Sequence, residues 1–237
     1  MSVSKPTNFN TIYTRALKRK GSEQALQALL PEVLPLHKIV NIGDDRFLAE
    51  MTRCIFQAGF VWRVINQKWP NFEQAFFKFD PQKMLLLSPD FIDKLSADKS
   101  IVRNRQKIIS VPQNAQFIID IQHEHGSFSQ FIQQWPIQDL VGLYQLFKKR
   151  GCRLGGMTGP RVLRNFGIDS FLLTRDVVHC LQQSGLDIRD TPSSLTDLNK
   201  IQSLFNHWQQ ESGLSFTHLS RICACSVGEN KLQFDQK

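Results

Sequence analysis

Cations followed by glycines mark the first place in this chain where chemistry could gather. Lys148, Lys149 and Arg150 close a helical stretch, and Gly151, Arg153, Gly155, Gly156, Thr158 and Gly159 form a tight turn before Pro160 and Arg161. Glycine lets backbone approach a ligand closely, and the unpaired N–H groups of a following helix start sit at positive potential. Pro160 suits that first turn because its missing N–H is not needed there. A helix, a glycine hairpin and a second helix therefore suit a phosphate, with the flanking cations adding attraction that ignores sequence. An ordinary helix–helix loop with capping glycines accounts for the same pattern. Downstream, Asp176 opens another helix, either as a cap for its N–H groups or as a carboxylate offered to a ligand.

These groups need a scaffold, and the apolar spacing makes it helical almost throughout. A first amphipathic run covers 11–30, interrupted at Gly21. Asp44-Asp45 can cap a second run, which carries Phe47, Met51, Ile55, Val61, Val64 and Ile65, breaks near Gly59 and is expected to end at Trp69-Pro70. Short helices are expected over 71–79, 80–87 and 88–97, then a longer one over 103–124 with a kink or break at Pro112. Helices over 128–134, 139–150, 160–166, 176–184 and 196–212 complete the pattern, and only 170–173 is ambiguous as a strand. The expected class is all-α, two packed helical lobes carrying a helix–hairpin–helix motif.

Composition narrows the partners. The 237 residues hold 29 Lys plus Arg against 21 Asp plus Glu, a formal charge of +8, which favours a polyanion such as nucleic acid. At 41% hydrophobic the chain has enough apolar surface to offset ordering, so disorder is excluded by composition. No stretch approaches the roughly 20 apolar residues of a membrane span, and the first residues lack a secretory apolar core. A soluble, cytoplasmic protein with no membrane partner is the expectation. The five cysteines are odd in number and scattered, which reads as free thiols rather than a disulfide framework. His123 and His125 diverge at a helix end and make a poor metal pair.

Several ordered segments together carry a resemblance. They are Phe47-Leu48-Ala49-Glu50-Met51, Gln57-Ala58-Gly59-Phe60-Val61-Trp62, Phe79-Asp80-Pro81, Ile101 to Ile108, and Leu146 to Gly151 with the glycine hairpin. The sequence resembles the 3-methyladenine DNA glycosylase I family of the helix–hairpin–helix superfamily over roughly residues 44–182. The resemblance implies a monofunctional base-excision repair hydrolase that removes 3-methyladenine-like alkylated purines from duplex DNA and leaves an abasic site. It implies two helical lobes with a cleft that receives an extruded base. It also implies that Trp62 stacks on that base, that Gln57, Gly59 and Phe60 lie near the gap it leaves, and that Gly155, Gly156, Thr158 and Gly159 form the DNA-gripping hairpin. Plain core packing is the competing reading of Trp62 and Phe60.

Two departures alter what the resemblance implies. The family's base-recognising glutamate falls at Cys54, with Glu50 one turn earlier; a thiol cannot replace a carboxylate as acceptor, so either Glu50 substitutes or base selectivity differs. The later pair of the family's zinc ligands falls at Asp176 and Cys180 and the earlier pair is missing, so no metal and no cofactor is expected. Asp176 stands where other superfamily members carry a catalytic aspartate, and is expected to stabilise an oxocarbenium-like sugar and orient water. The expected organisation is an N-terminal extension over 1–43, a core over 44–182 with its hairpin at 143–167, and a C-terminal extension over 183–237 that completes the second lobe. The expected assembly is a monomer. The alternative is a catalytically impaired relative that binds damaged DNA.

Overall fold

The computed structural model describes residues 7–228. Among them the chain forms α1 (Phe9–Lys20), α2 (Glu23–Gln27), α3 (Leu36–Ile39), α4 (Asp44–Gln57), α5 (Trp62–Ala75), α6 (Pro81–Leu85) and α7 (Pro89–Ala97). There follow α8 (Arg105–His125), α9 (Phe128–Gln134), α10 (Leu140–Arg150), α11 (Thr158–Asn165), α12 (Arg175–Gln183), α13 (Leu195–Ser212) and α14 (Phe216–Ser226). Two 3-10 turns, Phe77–Phe79 and Ile137–Asp139, complete the elements, and no described residue is in a strand. The all-α class expected from the periodicity is the observed one.

Local chemistry explains most boundaries. Ser22, Ser88, Asn104, Ser127, Ser194 and Ser215 each accept a backbone N–H of the helix they precede, which satisfies donors that have no intrahelical partner. Gly21, at φ +85°, ends α1 in a left-handed cap, so the run over 11–30 is two helices. Several elements depart from expectation: no separate helix covers 71–79, whose first residues belong to α5 and whose last form a 3-10 turn, and α3 and α14 lie outside the expected runs. Pro70 does not end a helix but lies inside α5, because Trp69 stacks on Phe72 and Phe79 at 5.3 and 5.4 Å and this packing outweighs the lost backbone bond. Pro112 lies inside α8, which runs through it without the break that was one of the two expected outcomes. Asp44 is not a cap: it sits in the first turn of α4, and its Oδ1 accepts the Phe128 N–H at 3.0 Å.

The chain divides into two compact units. The first comprises the described residues of Met1–Val33, Gln138–Val141 and Asp169–Lys237; the second comprises Leu34–Ile137 and Gly142–Ile168. The first unit packs α1 and α12 on α14, with Phe171 and Phe205 stacked at 4.7 Å and Trp208 fully buried beside them. The second sets α4 and α9 against α8, with Phe47, Phe117, Phe128 and Phe147 in its centre. Burying such rings contributes about 1.5–3 kcal/mol each.

Candidate base pocket and hairpin

The end of α4 presents the first candidate residues. Ala58 leaves the helix in an extended conformation and Gly59 turns back at φ +74°. A Cβ at Gly59 would meet nothing within 4 Å, so glycine is required there by the left-handed backbone and not by crowding. The turn places three consecutive apolar side chains in water: Phe60, Val61 and Trp62 are 45%, 63% and 41% exposed. Plain core packing is therefore not what Phe60 and Trp62 do.

Lys107 on α8 holds that turn from beneath. Its Nζ donates to the carbonyls of Phe56 at 3.2 Å and Ala58 at 2.7 Å, and it lies 5.6 Å from the Phe60 ring centroid. Burial, and then the charge of Arg153, holds its ammonium below the usual lysine range. In the sequence Lys107 stands out only as a cation of the segment from Ile101 to Ile108; its support of this turn has no local signal. Gln57, from the same turn, is buried; its amide donates to Asn66 Oδ1 at 3.1 Å and its Oε1 has no hydrogen-bond partner among the described residues.

Glu50 and Cys54 lie four residues apart and so share one face of α4. Glu50 is 8% exposed. Its Oε1 accepts Asn165 Nδ2 at 2.6 Å and the Cys54 thiol at 3.5 Å, and Arg53 approaches Oε2 at 3.4 Å. Burial and then the Glu50 charge push the Cys54 thiol well above its ordinary range, so it stays protonated and neutral. Arg53 is itself stacked 4.3 Å from the Trp69 ring centroid. Asn165 on α11 went unnoticed in the sequence; its only signal was its position one turn after Arg161.

The hairpin runs from α10 to α11. Gly159 is closely packed: a Cβ would lie 2.7 Å from the Leu154 carbonyl oxygen and from Phe147 Cδ2. Gly151 is equally tight against Leu154 and the Phe147 carbonyl, whereas Gly156 faces open space at φ +61°. Asn114, fully buried on α8, clamps the turn by donating to the Cys152 carbonyl at 3.1 Å and accepting the Cys152 N–H at 2.8 Å. Thr158, Gly159 and Pro160 form the first turn of α11. Lys148 and Lys149 are exposed, and Gly155 packs against the Lys148 stem. Arg150 is instead committed to a two-bond pair with Glu124, at 2.9 and 2.7 Å, and Arg153 donates to Gln106 at 2.6 Å. Arg161 places its guanidinium carbon 4.8 Å from the Trp62 ring centroid. The hairpin helix thus reaches both expected pocket residues, Trp62 through Arg161 and Glu50 through Asn165.

Asp176 belongs to the first unit. The cap of α12 is Thr174, whose side chain accepts the Val177 N–H, so Asp176 is an exposed carboxylate in the first turn. It packs against Gly228, where a Cβ would lie 2.9 Å from Oδ1. One turn on, buried Cys180 has its Sγ 3.3 Å from Ser226 Oγ and accepts from Arg15 at 3.5 Å. A hydrogen bond from Cys223, followed by those from Ser226 and Arg15, lowers the Cys180 thiol to about 7, while burial and that same pairing raise Cys223. No helix among the described residues is long and apolar enough to cross a membrane.

Parts of this chain are similar to known proteins. The methyladenine glycosylase family model matches residues 40–144, which include Glu50, Cys54, Gln57, Gly59, Phe60, Trp62 and Lys107 but neither α11 nor Asp176. DNA-3-methyladenine glycosylase 1 of Escherichia coli (strain K12) is 30% identical over 91 residues, covering 38% of this chain and 48% of that protein. The chain thus spans about half the length of the curated relatives it matches. Among solved structures, 3-methyladenine DNA glycosylase I from Staphylococcus aureus superposes with a TM-score of 0.50 at 21% identity, over 70% of this chain and 88% of that one. The 8-oxoguanine DNA glycosylase of Methanocaldococcus jannaschii superposes at 0.56 and 15% identity, over 89% and 91%. These two likenesses show a shared all-α fold. Over residues 40–144, this chain is similar to the methyladenine glycosylases.

Proposed function

We propose that the chain is a DNA glycosylase that hydrolyses the N-glycosidic bond of alkylated, 3-methyladenine-like purines in duplex DNA. The observation that carries this reading is the buried Glu50 carboxylate, oriented by Asn165 and Cys54, one helical stretch ahead of the exposed Phe60-Val61-Trp62 tip. Chemistry on a base requires its extrusion from the stack, and an apolar tip can fill the space left behind. Trp62 offers an indole face, on which a cationic alkylated purine gains ~1–2 kcal/mol. Glu50 supplies the acceptor that Cys54 cannot, since that thiol keeps its proton. Lys148, Lys149 and Arg153 supply the cations that attract phosphates on either side; the Thr158, Gly159 and Arg161 N–H groups already donate to the carbonyls of Gly155, Leu154 and Met157.

Bond cleavage then needs little acid assistance. The C1′–N bond breaks with its electron pair passing to a positively charged base, which leaves neutral; water adds to C1′ and surrenders a proton to a base. Asp176 is assigned the carboxylate that stabilises the electron-poor sugar and receives that proton. The test is base release from methylated duplex DNA, with Glu50→Gln and Asp176→Asn alongside. Each variant should lose roughly 10²- to 10³-fold in single-turnover rate. An unchanged rate for Asp176→Asn removes it from the mechanism. Failure to release 3-methyladenine, 7-methylguanine, hypoxanthine or uracil overturns the enzyme reading.

A second reading, a damaged-DNA binder without catalysis, draws on the same carboxylate. Glu50 is engaged by Asn165, Arg53 and Cys54, which leaves it fewer free lone pairs for a base. Retained duplex binding with no base release would favour it.

A further inference from the structure

Arg161 lies on α11, in the hairpin, where a cation is expected to meet phosphate, yet its guanidinium lies over the Trp62 ring at 4.8 Å. Its setting differs from that of Arg53, which also stacks on a tryptophan but is paired with Glu50. Among the described residues no carboxylate pairs with Arg161. Its charge is also felt at the Cys54 thiol, so it stands within electrostatic reach of the Glu50–Cys54 face. Trp62 remains 41% exposed around it.

We propose that Arg161 is a placeholder: it covers the Trp62 face in the DNA-free protein and moves to a DNA phosphate when the extruded base takes that face. The inference rests on the glycosylase reading. One indole face cannot hold a guanidinium and a purine at once, and a cationic purine is repelled by the guanidinium as well as excluded by it. A phosphate offers Arg161 a better partner, because a guanidinium forms two parallel charge-assisted bonds to it. Backbone capture and base capture are thereby coupled. A base presented without DNA meets an occupied face and binds with reduced apparent affinity. Once DNA leaves, the returning guanidinium displaces the excised base, so the same residue assists product release.

The experiment measures two affinities on Arg161→Gln and Arg161→Lys: that for free 3-methyladenine by calorimetry, and that for a short duplex carrying a stable abasic-site analogue across a salt series. Arg161→Gln should bind the free base roughly two- to fivefold more tightly. It should bind the duplex more weakly, with the log–log salt slope shallower by about 0.9. Arg161→Lys should keep the wild-type salt slope and tighten free-base binding less, since an ammonium stays near the ring but stacks poorly. Arg161→Lys also decides the matter if Arg161→Gln fails to fold. Free-base affinity unchanged or weakened in the folded variants overturns the proposal, as does an unchanged salt slope in Arg161→Gln. Wild-type protein that binds neither probe refutes the glycosylase reading itself.

Discussion

Replacing Lys107 by methionine tests whether the exposed tip is held from below. Lys107 Nζ makes two bonds to carbonyls at the end of α4, at 2.7 and 3.2 Å, where the helix dipole is negative. A hydrogen bond to a charged group contributes about 1.5–3 kcal/mol, and a buried carbonyl left without a donor costs about 1–3. Two terms offset this: methionine keeps the packing of the stem, and removing the ammonium relieves the desolvation that lowers its pKa. The expected net loss is about 2 kcal/mol, a fall of about 1 M in the urea midpoint with the slope unchanged. Hydrogen exchange of α4 amides assigns the loss to the second unit. The pH dependence has a definite sign. A lysine whose folded pKa is lowered binds protons less tightly when folded, so wild-type stability rises with pH through that lowered pKa toward the unfolded value near 10.4. The advantage over Lys107→Met should therefore widen as the solution becomes alkaline. A variant within about 0.5 kcal/mol of wild type, with α4 exchange unaltered, refutes the anchoring role.

Gly159→Ala should cost about 2 kcal/mol or more and abolish duplex retention, because its Cβ meets the Leu154 carbonyl and Phe147 at 2.7 Å. Gly156→Ala, in open space at φ +61°, should cost only about 1; thermal unfolding and DNA binding together rank the two. Cys180, lowered to about 7, contributes stability that is present above the ordinary thiol pKa and is lost as pH falls through about 7. Arg15→Met should move the thiolate absorbance transition upward, and an unmoved transition excludes Arg15 as a cause. Cys54, held protonated, should resist alkylation in the native protein at neutral pH and react only on unfolding.

Helical periodicity made the all-α class legible, and Gly59 announced its turn because a lone glycine between two apolar runs has few other uses. The hairpin was legible for the same reason, down to Pro160 in the first turn of α11. The supports of the site were not. Asn114, Asn165 and Lys107 are single polar residues whose roles come from partners 38 to 115 positions away, and no local pattern encodes such distances. Arg150 and Arg161 look alike in the chain; only tertiary structure gives one to Glu124 and the other to Trp62. Pro70 misled because its local penalty is real but smaller than the aromatic packing around it.

The make-up of the first unit has a consequence during synthesis. The Trp208 indole donates to the Thr7 carbonyl, the Phe9 N–H donates to Glu211, and α1 packs on α14. As the chain leaves the ribosome, α1 emerges well before its partners α13 and α14, with Phe9, Ile12 and Ala16 uncovered until those helices follow. The second unit, whose residues lie within 34–168, can close earlier. For the whole of that interval α1 presents an uncovered apolar stripe, so chains arrested before α13 and α14 are the species most exposed to chaperones and to self-association.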